Sequence, residues 1–110
     1  MPTSYKVLGQ TAPIANTETL HYSVPSLTST IIKSINITNT STSVDTFSIA
    51  LVPTAAIPAA NLNYIVYNNT IAGNTTITLK SGFALTNPNG IRVSSTNGTS
   101  TFTTFGSEIS

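Results

Sequence analysis

The stretch from Thr30 to Val52 constrains the fold of this chain more than any other part of the sequence. Two runs rich in β-branched residues flank a polar block, residues 39–43. In each run apolar side chains alternate with polar ones, a pattern typical of β-strands with one buried face. A short polar link between two such strands predicts an antiparallel hairpin. The predicted core residues of this hairpin are Ile35, Ile37, Phe47, Ile49 and Leu51.

Lys33 interrupts the apolar face that Ile31, Ile35 and Ile37 would otherwise share. In one interpretation a β-bulge shifts the register there, so that Ile32 turns into the core. In the other, the strand lies at the edge of a sheet, where an inward charge discourages pairing with another chain. The alternation of residues leaves both interpretations open.

The remainder of the chain predicts further short strands that cover this apolar face. Turn residues recur about every ten positions, and no segment has a convincing helical period. Asn89-Gly90 and Asn97-Gly98 predict tight turns, and the strands on either side of the second are expected to pair with each other. The predicted strands are residues 5–10, 19–24, 62–67, 75–79, 83–85, 91–95 and 100–105, besides the two of the hairpin.

About eight short strands without helices predict an all-β fold, an antiparallel two-sheet β-sandwich in jelly-roll or immunoglobulin-like order. A chain of 110 residues is long enough for one hydrophobic core. Residues 1–18, which contain Pro13, are predicted to form an N-terminal arm on the domain or on a neighbour, or else a frayed terminus. Residues 19–110 are the predicted single β-sandwich domain, so a chain without residues 1–10 is expected to stay folded.

The surface predicted from the composition is polar but nearly uncharged. Only 6% of residues are charged, whereas about 25% is usual in globular proteins. Thr (21), Ser (14) and Asn (11) supply the polar groups instead, and the net charge is +1. Because copies of such a protein repel each other little, self-association is expected. A monomer with a neutral polar surface, extracellular or salt-tolerant, is the alternative.

The residues that most enzymes use are too few and too scattered here to predict a reaction. The only histidine is His21, expected on the face opposite the core, and the acids are Glu18, Asp45 and Glu108. Glu18 and Asp45 are interpreted as solvated turn residues. The sequence has no cysteine, and one histidine with three separated acids predicts no metal site. We therefore expect neither an enzyme nor a bound cofactor.

The basic residues and the hydropathy pattern also limit the classes of partner. Four dispersed Lys and Arg residues do not form the basic footprint of a nucleic-acid-binding protein. No apolar run reaches the length of about 18 residues that a membrane-spanning helix requires. The first residues show no apolar signal segment, so synthesis in the cytosol is expected.

Four segments together resemble small virion structural proteins of tailed bacteriophages, of the type found in cyanophages and other aquatic phages. They are Tyr5–Gln10, Tyr22–Pro25, Ile65–Tyr67 and Phe105–Ile109. The resemblance implies a β-sandwich subunit of the phage particle, such as a head decoration (cement) protein that bridges major capsid subunits, often as a trimer or dimer. It implies no catalytic residues, because such proteins have no active site. Asn87–Gly90 departs from it, since a shorter turn is expected there.

The expected function is therefore that of a capsid decoration protein, made in the host cytoplasm and located on the outer head surface. Its expected partners are the major capsid protein and further copies of itself. A neck, tail or fibre protein with an adhesion role is the first alternative, and a carbohydrate-binding module is the second. The strand at residues 62–67 is apolar on both faces, which predicts cover by the arm or by another subunit. The predicted interaction residues are Tyr5, Val7, Leu8, Tyr64, Ile65, Tyr67 and Phe105.

Overall fold

The computed structural model of the protein describes residues 3–55 and 57–109. These residues form eight β-strands, and a single 3₁₀ turn, Asn61–Asn63, precedes the fifth strand. The strands are β1 (Thr3–Thr11), β2 (Thr19–Ser23), β3 (Ser29–Asn39), β4 (Asp45–Val52), β5 (Tyr64–Ile71), β6 (Thr76–Thr86), β7 (Gly90–Ser95) and β8 (Ser100–Ile109).

The strands build two four-stranded antiparallel sheets, in the orders β1-β8-β3-β6 and β2-β7-β4-β5. Four of the strand pairs are those expected of one long hairpin whose closed end lies between β4 and β5. They are β1 with β8, β2 with β7, β3 with β6 and β4 with β5. Rolling up that hairpin adds the pairs β3 with β8 and β4 with β7. This is the jelly-roll order. The predicted all-β sandwich is confirmed. The sequence did not distinguish a jelly-roll order from an immunoglobulin-like one, and the structure has the jelly-roll order.

The predicted hairpin within Thr30 to Val52 is wrong, because its two strands lie in opposite sheets. The polar link carries the chain across the sandwich, and the two apolar faces meet in the core. The link at Asn97-Gly98 likewise joins strands of different sheets, β7 and β8. Among the described strands, β4 and β5 are the only consecutive pair that shares a sheet. A turn signal shows where the chain reverses, but the next strand can either pair beside the previous one or pack across from it.

Asn39 organises the link between β3 and β4. Its buried side chain donates a hydrogen bond to the Ser43 carbonyl oxygen at 2.7 Å and accepts one from the Ser41 N–H at 3.1 Å. Gly73, in the link between β5 and β6, lies directly against this segment. A Cβ atom at position 73 would be 2.1 Å from the Thr42 carbonyl oxygen. The two links can approach this closely only because residue 73 has no side chain.

A β-bulge accounts for Lys33. The register of β3 shifts between Ile32 and Ser34 against both neighbouring strands, β6 and β8. Lys33 is the extra residue and is exposed, whereas Ile32 is buried, as is Ile35 after the bulge. Since β3 lies inside its sheet, the bulge interpretation is confirmed and the edge interpretation is wrong. Residues 80–82, predicted to be a loop, continue β6 through the same irregularity.

The core lies between the two sheets and consists mainly of isoleucine and valine side chains. The rings of Phe47 and Phe102 meet edge to face across it, with their centroids 6.1 Å apart. Of the predicted core residues, four are buried and Leu51 is half-buried at the margin of the cluster; the four are Ile35, Ile37, Phe47 and Ile49.

The segment predicted to be an N-terminal arm is an edge strand of the sandwich as far as Thr11. β1 pairs with β8 along its length, apart from one register shift between Val7 and Gly9. Leu8, at that shift, packs against the core. Residues 12–18 connect β1 to β2. Of the two placements predicted for this segment, residues 3–11 have the one on the domain, where pairing with β8 gives their backbone groups partners.

Asp45 is buried, contrary to its interpretation as a solvated turn residue. Its carboxylate accepts hydrogen bonds from the hydroxyls of Ser95 and Ser100, the second at 2.6 Å, and from the Asn97 N–H at 2.9 Å. Burial alone would raise the pKa of Asp45, but these hydrogen bonds outweigh it and lower the pKa. The carboxylate joins the start of β4 to the link between β7 and β8.

His21 is also buried, whereas the alternation predicted a position opposite the core. A register shift between Leu20 and Tyr22 turns both His21 and Tyr22 inward and leaves Leu20 exposed. The Nδ1 atom of His21 lies 2.7 Å from the Thr11 hydroxyl oxygen, and Nε2 lies 2.6 Å from that of Thr104. Burial lowers the pKa of His21 to about 4, so the ring is neutral at pH 7.

Candidate docking surface

The acidic side chains and the histidine lie at separate places and join elements of the sandwich. Glu18 accepts a hydrogen bond from the loop between β4 and β5, Asp45 holds the link between β7 and β8, and Glu108 accepts one from the Tyr22 hydroxyl at 2.5 Å. Within residues 3–55 and 57–109 no group of three or more His, Cys, Asp or Glu side chains is close enough to hold a metal ion. The same residues include no helix long and apolar enough to cross a membrane.

An apolar surface lies where the loop between β4 and β5 meets β5 itself. Four large apolar side chains are exposed there: Ile57 by 60%, Leu62 by 87%, Ile65 by 36% and Tyr67 by 61%. They are termed the β5-edge patch. Because β5 is the last strand of its sheet, one side of its backbone faces away from the sheet. Apolar side chains and an open strand edge thus lie side by side.

A groove of about 290 Å³ borders the patch. Ile57 and Leu62 belong both to the patch and to the wall of the groove, and the end of β4 closes it. The lining is mainly aliphatic and proline carbon, so the groove suits an apolar side chain of a partner. The residues of the wall are Val52, Pro53, Thr54, Ile57, Pro58, Ala60, Leu62 and Asn63.

Two charged side chains hold the loop that carries Ile57 against the sheet. The guanidinium of Arg92 in β7 donates two hydrogen bonds to the Ala55 carbonyl oxygen, at 3.2 Å from Nε and 2.8 Å from Nη2. The Glu18 carboxylate accepts the Ala59 N–H at 3.3 Å and lies 3.8 Å from the Arg92 guanidinium. The loop is thereby fastened at two points, which keeps Ile57 in a defined position beside the groove.

Tyr64 and Tyr67 form the aromatic part of this surface. Their rings meet edge to face with centroids 4.8 Å apart, although strand alternation predicts that they point to opposite sides. The pairing of β4 with β5 shifts register at two places, and these irregularities distort the strand. Burial raises the pKa of the Tyr64 hydroxyl, and the nearby Glu18 carboxylate and Tyr67 raise it further.

Charge distinguishes β5 from two of the other edge strands. β1 contains Lys6 and β6 contains Lys80, and charged residues on an edge discourage pairing with another chain. The eight residues of β5, Tyr64–Ile71, include neither a charge nor a proline. The remaining edge strand, β2, has only five residues. β5 is the longest uncharged edge of the described strands.

The structure separates the predicted interaction residues into two groups. Ile65 and Tyr67 are exposed on β5, and Tyr64 is half-buried beside them. Val7 is exposed on β1, at the far side of the other sheet, opposite the half-buried Phe105 of β8. Leu8 is half-buried and packs against the core, and its predicted role in an interaction stays a prediction. For Tyr5 only the backbone is described, opposite Ser107 in β8.

Sequence reasoning missed Ile57. It placed Leu62 in the strand expected to be covered but not among the interaction residues, and it gave Glu18 and Arg92 no structural role. Both apolar residues stand in a segment rich in alanine and proline, where an exposed and a covered side chain look alike in sequence. An isoleucine between two prolines was the only available signal. The contact of Glu18 with Arg92 joins positions 74 apart in the chain, and no local pattern reports such a pair.

We expect Arg92→Ala to loosen this loop without unfolding the sandwich. The Ala55 carbonyl would lose both of its hydrogen bonds from the guanidinium, at a cost of about 1–3 kcal/mol in the free energy of unfolding. Urea denaturation measures that loss, and limited proteolysis should show faster cleavage within residues 53–63. Lys80→Ala, at an exposed position of β6, is the control and should change neither quantity. Equal cleavage rates in the two variants would contradict the role given to Arg92.

Comparison with known proteins adds no relative from which a function could be transferred. No family model, no curated protein and no solved structure matches this chain.

Proposed function

We propose that this protein is a structural component of a phage virion, a capsid decoration protein that binds the outer surface of the head through its β5-edge patch. The observation that carries the proposal is that exposed apolar side chains lie beside an open strand edge that carries no charge. Surface patches of this kind usually mark sites where another protein binds. The major capsid protein is the proposed partner.

The apolar side chains supply the driving force for docking. Leu62 and Tyr67 are 87% and 61% exposed, so a partner that covers them removes large apolar areas from water. Leu62 also adjoins the groove, into which an apolar side chain of the partner would fit. Because Arg92 and Glu18 already hold the loop, little loop ordering has to accompany binding, which favours affinity.

The open edge of β5 sets the orientation of the bound segment. An extended segment of the capsid protein can pair with β5 as an added strand, with backbone hydrogen bonds fixing its register. The absence of charge in Tyr64–Ile71 leaves such pairing unopposed. This mode of docking rests on apolar area and backbone hydrogen bonds, and so it should depend only weakly on salt.

The neutral surface suits a protein that occupies many neighbouring positions on one particle. With 6% charged residues and a net charge of +1, copies on adjacent capsid subunits repel each other little. The same property favours association of copies with one another, as a dimer or trimer on the head. A rigid β-sandwich without an enzymatic role meets these requirements.

A carbohydrate-binding role is the second candidate, and Tyr67 is the observation that favours it. An exposed aromatic ring beside a second ring, that of Tyr64, can stack on a sugar. Binding on a glycan array that disappears in Tyr67→Ala, together with no affinity for phage heads, would favour this function over capsid decoration.

Leu62→Asp is expected to weaken binding to phage heads by at least about tenfold, since it puts a charge on the most exposed side chain of the patch. The assay uses purified heads that lack this protein and measures how much tagged protein cosediments with them. Leu27→Asp is the matched control, because Leu27 is 95% exposed in the link between β2 and β3. We expect it to bind normally. Unchanged affinity of the Leu62→Asp protein would contradict docking through the patch.

The position of the protein on the particle is tested separately. A cryo-EM reconstruction of the virion, with labelling of the tagged protein, should show its density on the outer head surface in many symmetry-related copies. Density in the neck, tail or fibres would contradict the head assignment and favour the adhesion role there.

A further inference from the structure

Two Asn-Gly pairs occur in this chain, and their asparagine side chains differ in hydrogen bonding and exposure. Asn89-Gly90 lies where β6 passes to β7, and Asn97-Gly98 lies between β7 and β8. In both, a glycine follows the asparagine, so no side chain shields the backbone nitrogen next to the asparagine amide. Sequence alone treats the two pairs as equivalent turn signals.

Asn89 is held at both ends of its side chain. Its Oδ1 atom accepts the Thr86 N–H at 3.0 Å, and Nδ2 donates to the Pro53 carbonyl oxygen at 2.9 Å. Gly90 is buried at the start of β7, where an added Cβ would lie 2.6 Å from the Ala55 Cβ. The side chain amide and the following peptide are thus fixed in a crowded place.

Asn97 has fewer restraints. Its side chain is exposed, and the hydrogen bond it donates, to the Val44 carbonyl oxygen, is longer at 3.2 Å. Gly98 is packed as closely as Gly90, since an added Cβ would lie 2.8 Å from the Ala15 backbone nitrogen, but it has φ of 72° and belongs to no strand. The pair lies at the tip of a four-residue link, residues 96–99, in contact with solvent. Rotation of the Asn97 side chain breaks one exposed hydrogen bond, whereas the same movement of Asn89 breaks two.

We propose that Asn97 is a site of spontaneous covalent modification, by attack of the Gly98 backbone nitrogen on the Asn97 side-chain amide. The Gly98 nitrogen loses its proton and bonds to Cγ of Asn97. The bond from Cγ to Nδ2 breaks, and the amide group leaves with that proton as ammonia. Water then adds to either carbonyl of the resulting five-membered imide, giving an aspartate or its β-linked isomer. No oxidation or reduction occurs, and water is the only co-reactant.

The modification changes the surroundings of the buried Asp45 carboxylate. The Asn97 N–H donates to Asp45 at 2.9 Å, and Ser95 and Ser100, on either side of the link, donate to the same carboxylate. A carboxylate at position 97 brings a second negative charge close to Asp45. The β-linked product also lengthens the backbone between Ser95 and Ser100. Both products weaken the connection between β4 and the link, so modified protein should unfold more easily.

The test measures modification at the two asparagines within one molecule. The folded protein is incubated in mildly alkaline buffer, and peptide mass spectrometry follows the conversion of each amide to an acid. Conversion at Asn97 is expected to be at least about tenfold faster than at Asn89. In a parallel sample in concentrated urea the chain is unfolded, and neither asparagine is held by hydrogen bonds of the fold. The two positions should then react at similar rates.

Two variants complete the experiment. Asn97→Gln should remove the fast reaction, because the corresponding six-membered imide closes much more slowly. Asn97→Asp should lower the midpoint of urea denaturation, and so should incubation of the wild-type protein in the alkaline buffer. If Asn89 in the folded protein reacts as fast as Asn97, or if folded Asn97 stays intact while the unfolded chain reacts, the proposal is wrong. An unchanged urea midpoint for Asn97→Asp would overturn the predicted effect on stability.

Discussion

A chain that lacks residues 1–10 is expected to lose the folded sandwich, with no cooperative thermal transition and no defined near-ultraviolet circular dichroism. β1 pairs with β8 through these residues and contributes Leu8 to the core. Its removal leaves one side of β8 without a strand and exposes the margin of the core. Loss of a large core side chain alone costs about 2–5 kcal/mol, and a domain of this size is stable by only about 5–15 kcal/mol.

The exposed residue Val7 provides the control for this truncation. Val7→Thr keeps the backbone of β1 and alters only a side chain that is already in contact with solvent, so its midpoint of unfolding should stay within experimental error of the wild type. A synthetic peptide of residues 1–10, added to the shortened chain, should restore part of the native spectrum. A truncated protein that unfolds at the wild-type temperature would contradict the integral role of β1 and revive the arm hypothesis.

Acidification from pH 7 to pH 4 is expected to remove about 3 kcal/mol of folding stability through His21. The folded-state pKa of His21 is about 4, below its ordinary value of 6.5, because the ring is buried. Between these values the unfolded chain binds a proton at His21 and the folded protein does not. The free energy of unfolding therefore falls as the pH decreases from about 6.5 to about 4, and below that range this group adds no further loss.

Urea denaturation at several pH values measures this effect in the wild type and in His21→Gln. The variant should be less stable at pH 7, because glutamine does not reproduce both contacts to Thr11 and Thr104. Its stability should nevertheless stay nearly constant between pH 6.5 and pH 4. Asp45 acts in another range, since a lowered pKa gives stability that is lost only as the pH falls through that pKa. If the free energy of unfolding of His21→Gln falls between pH 6.5 and pH 4 as steeply as that of the wild type, His21 is not the source of the pH dependence.

The existence of the strands and much of the core could be predicted because both follow from local alternation. Ile35, Ile37, Phe47 and Ile49 are buried as their period-2 pattern indicates. The bulge at Lys33 left a visible break in that pattern. No such break marks the register shift in β2, and so the prediction placed His21 on the wrong face.

The proposed docking surface was predictable only in part. The apolar character of β5 on both faces is visible in the sequence, and it led to Ile65 and Tyr67. Their exposure depends on which face of β5 turns away from the core, and a strand that is apolar on both faces does not report this. Ile57 joins the same surface because Arg92 and Glu18 hold its loop there, and that contact brings together three distant parts of the chain.

The amino-acid pattern was sufficient for the class of fold, since apolar alternation and frequent turn residues leave few arrangements other than an antiparallel sandwich. The low charge of the protein surface likewise follows from composition alone. The pairing of strands was decided by the tertiary structure, because an alternating strand buries its apolar face equally well beside its predecessor or across from it. The jelly-roll order, in which β3 and β4 face each other across the core, also separates Val7 from Ile65 and Tyr67 and leaves β5 as the open, uncharged edge.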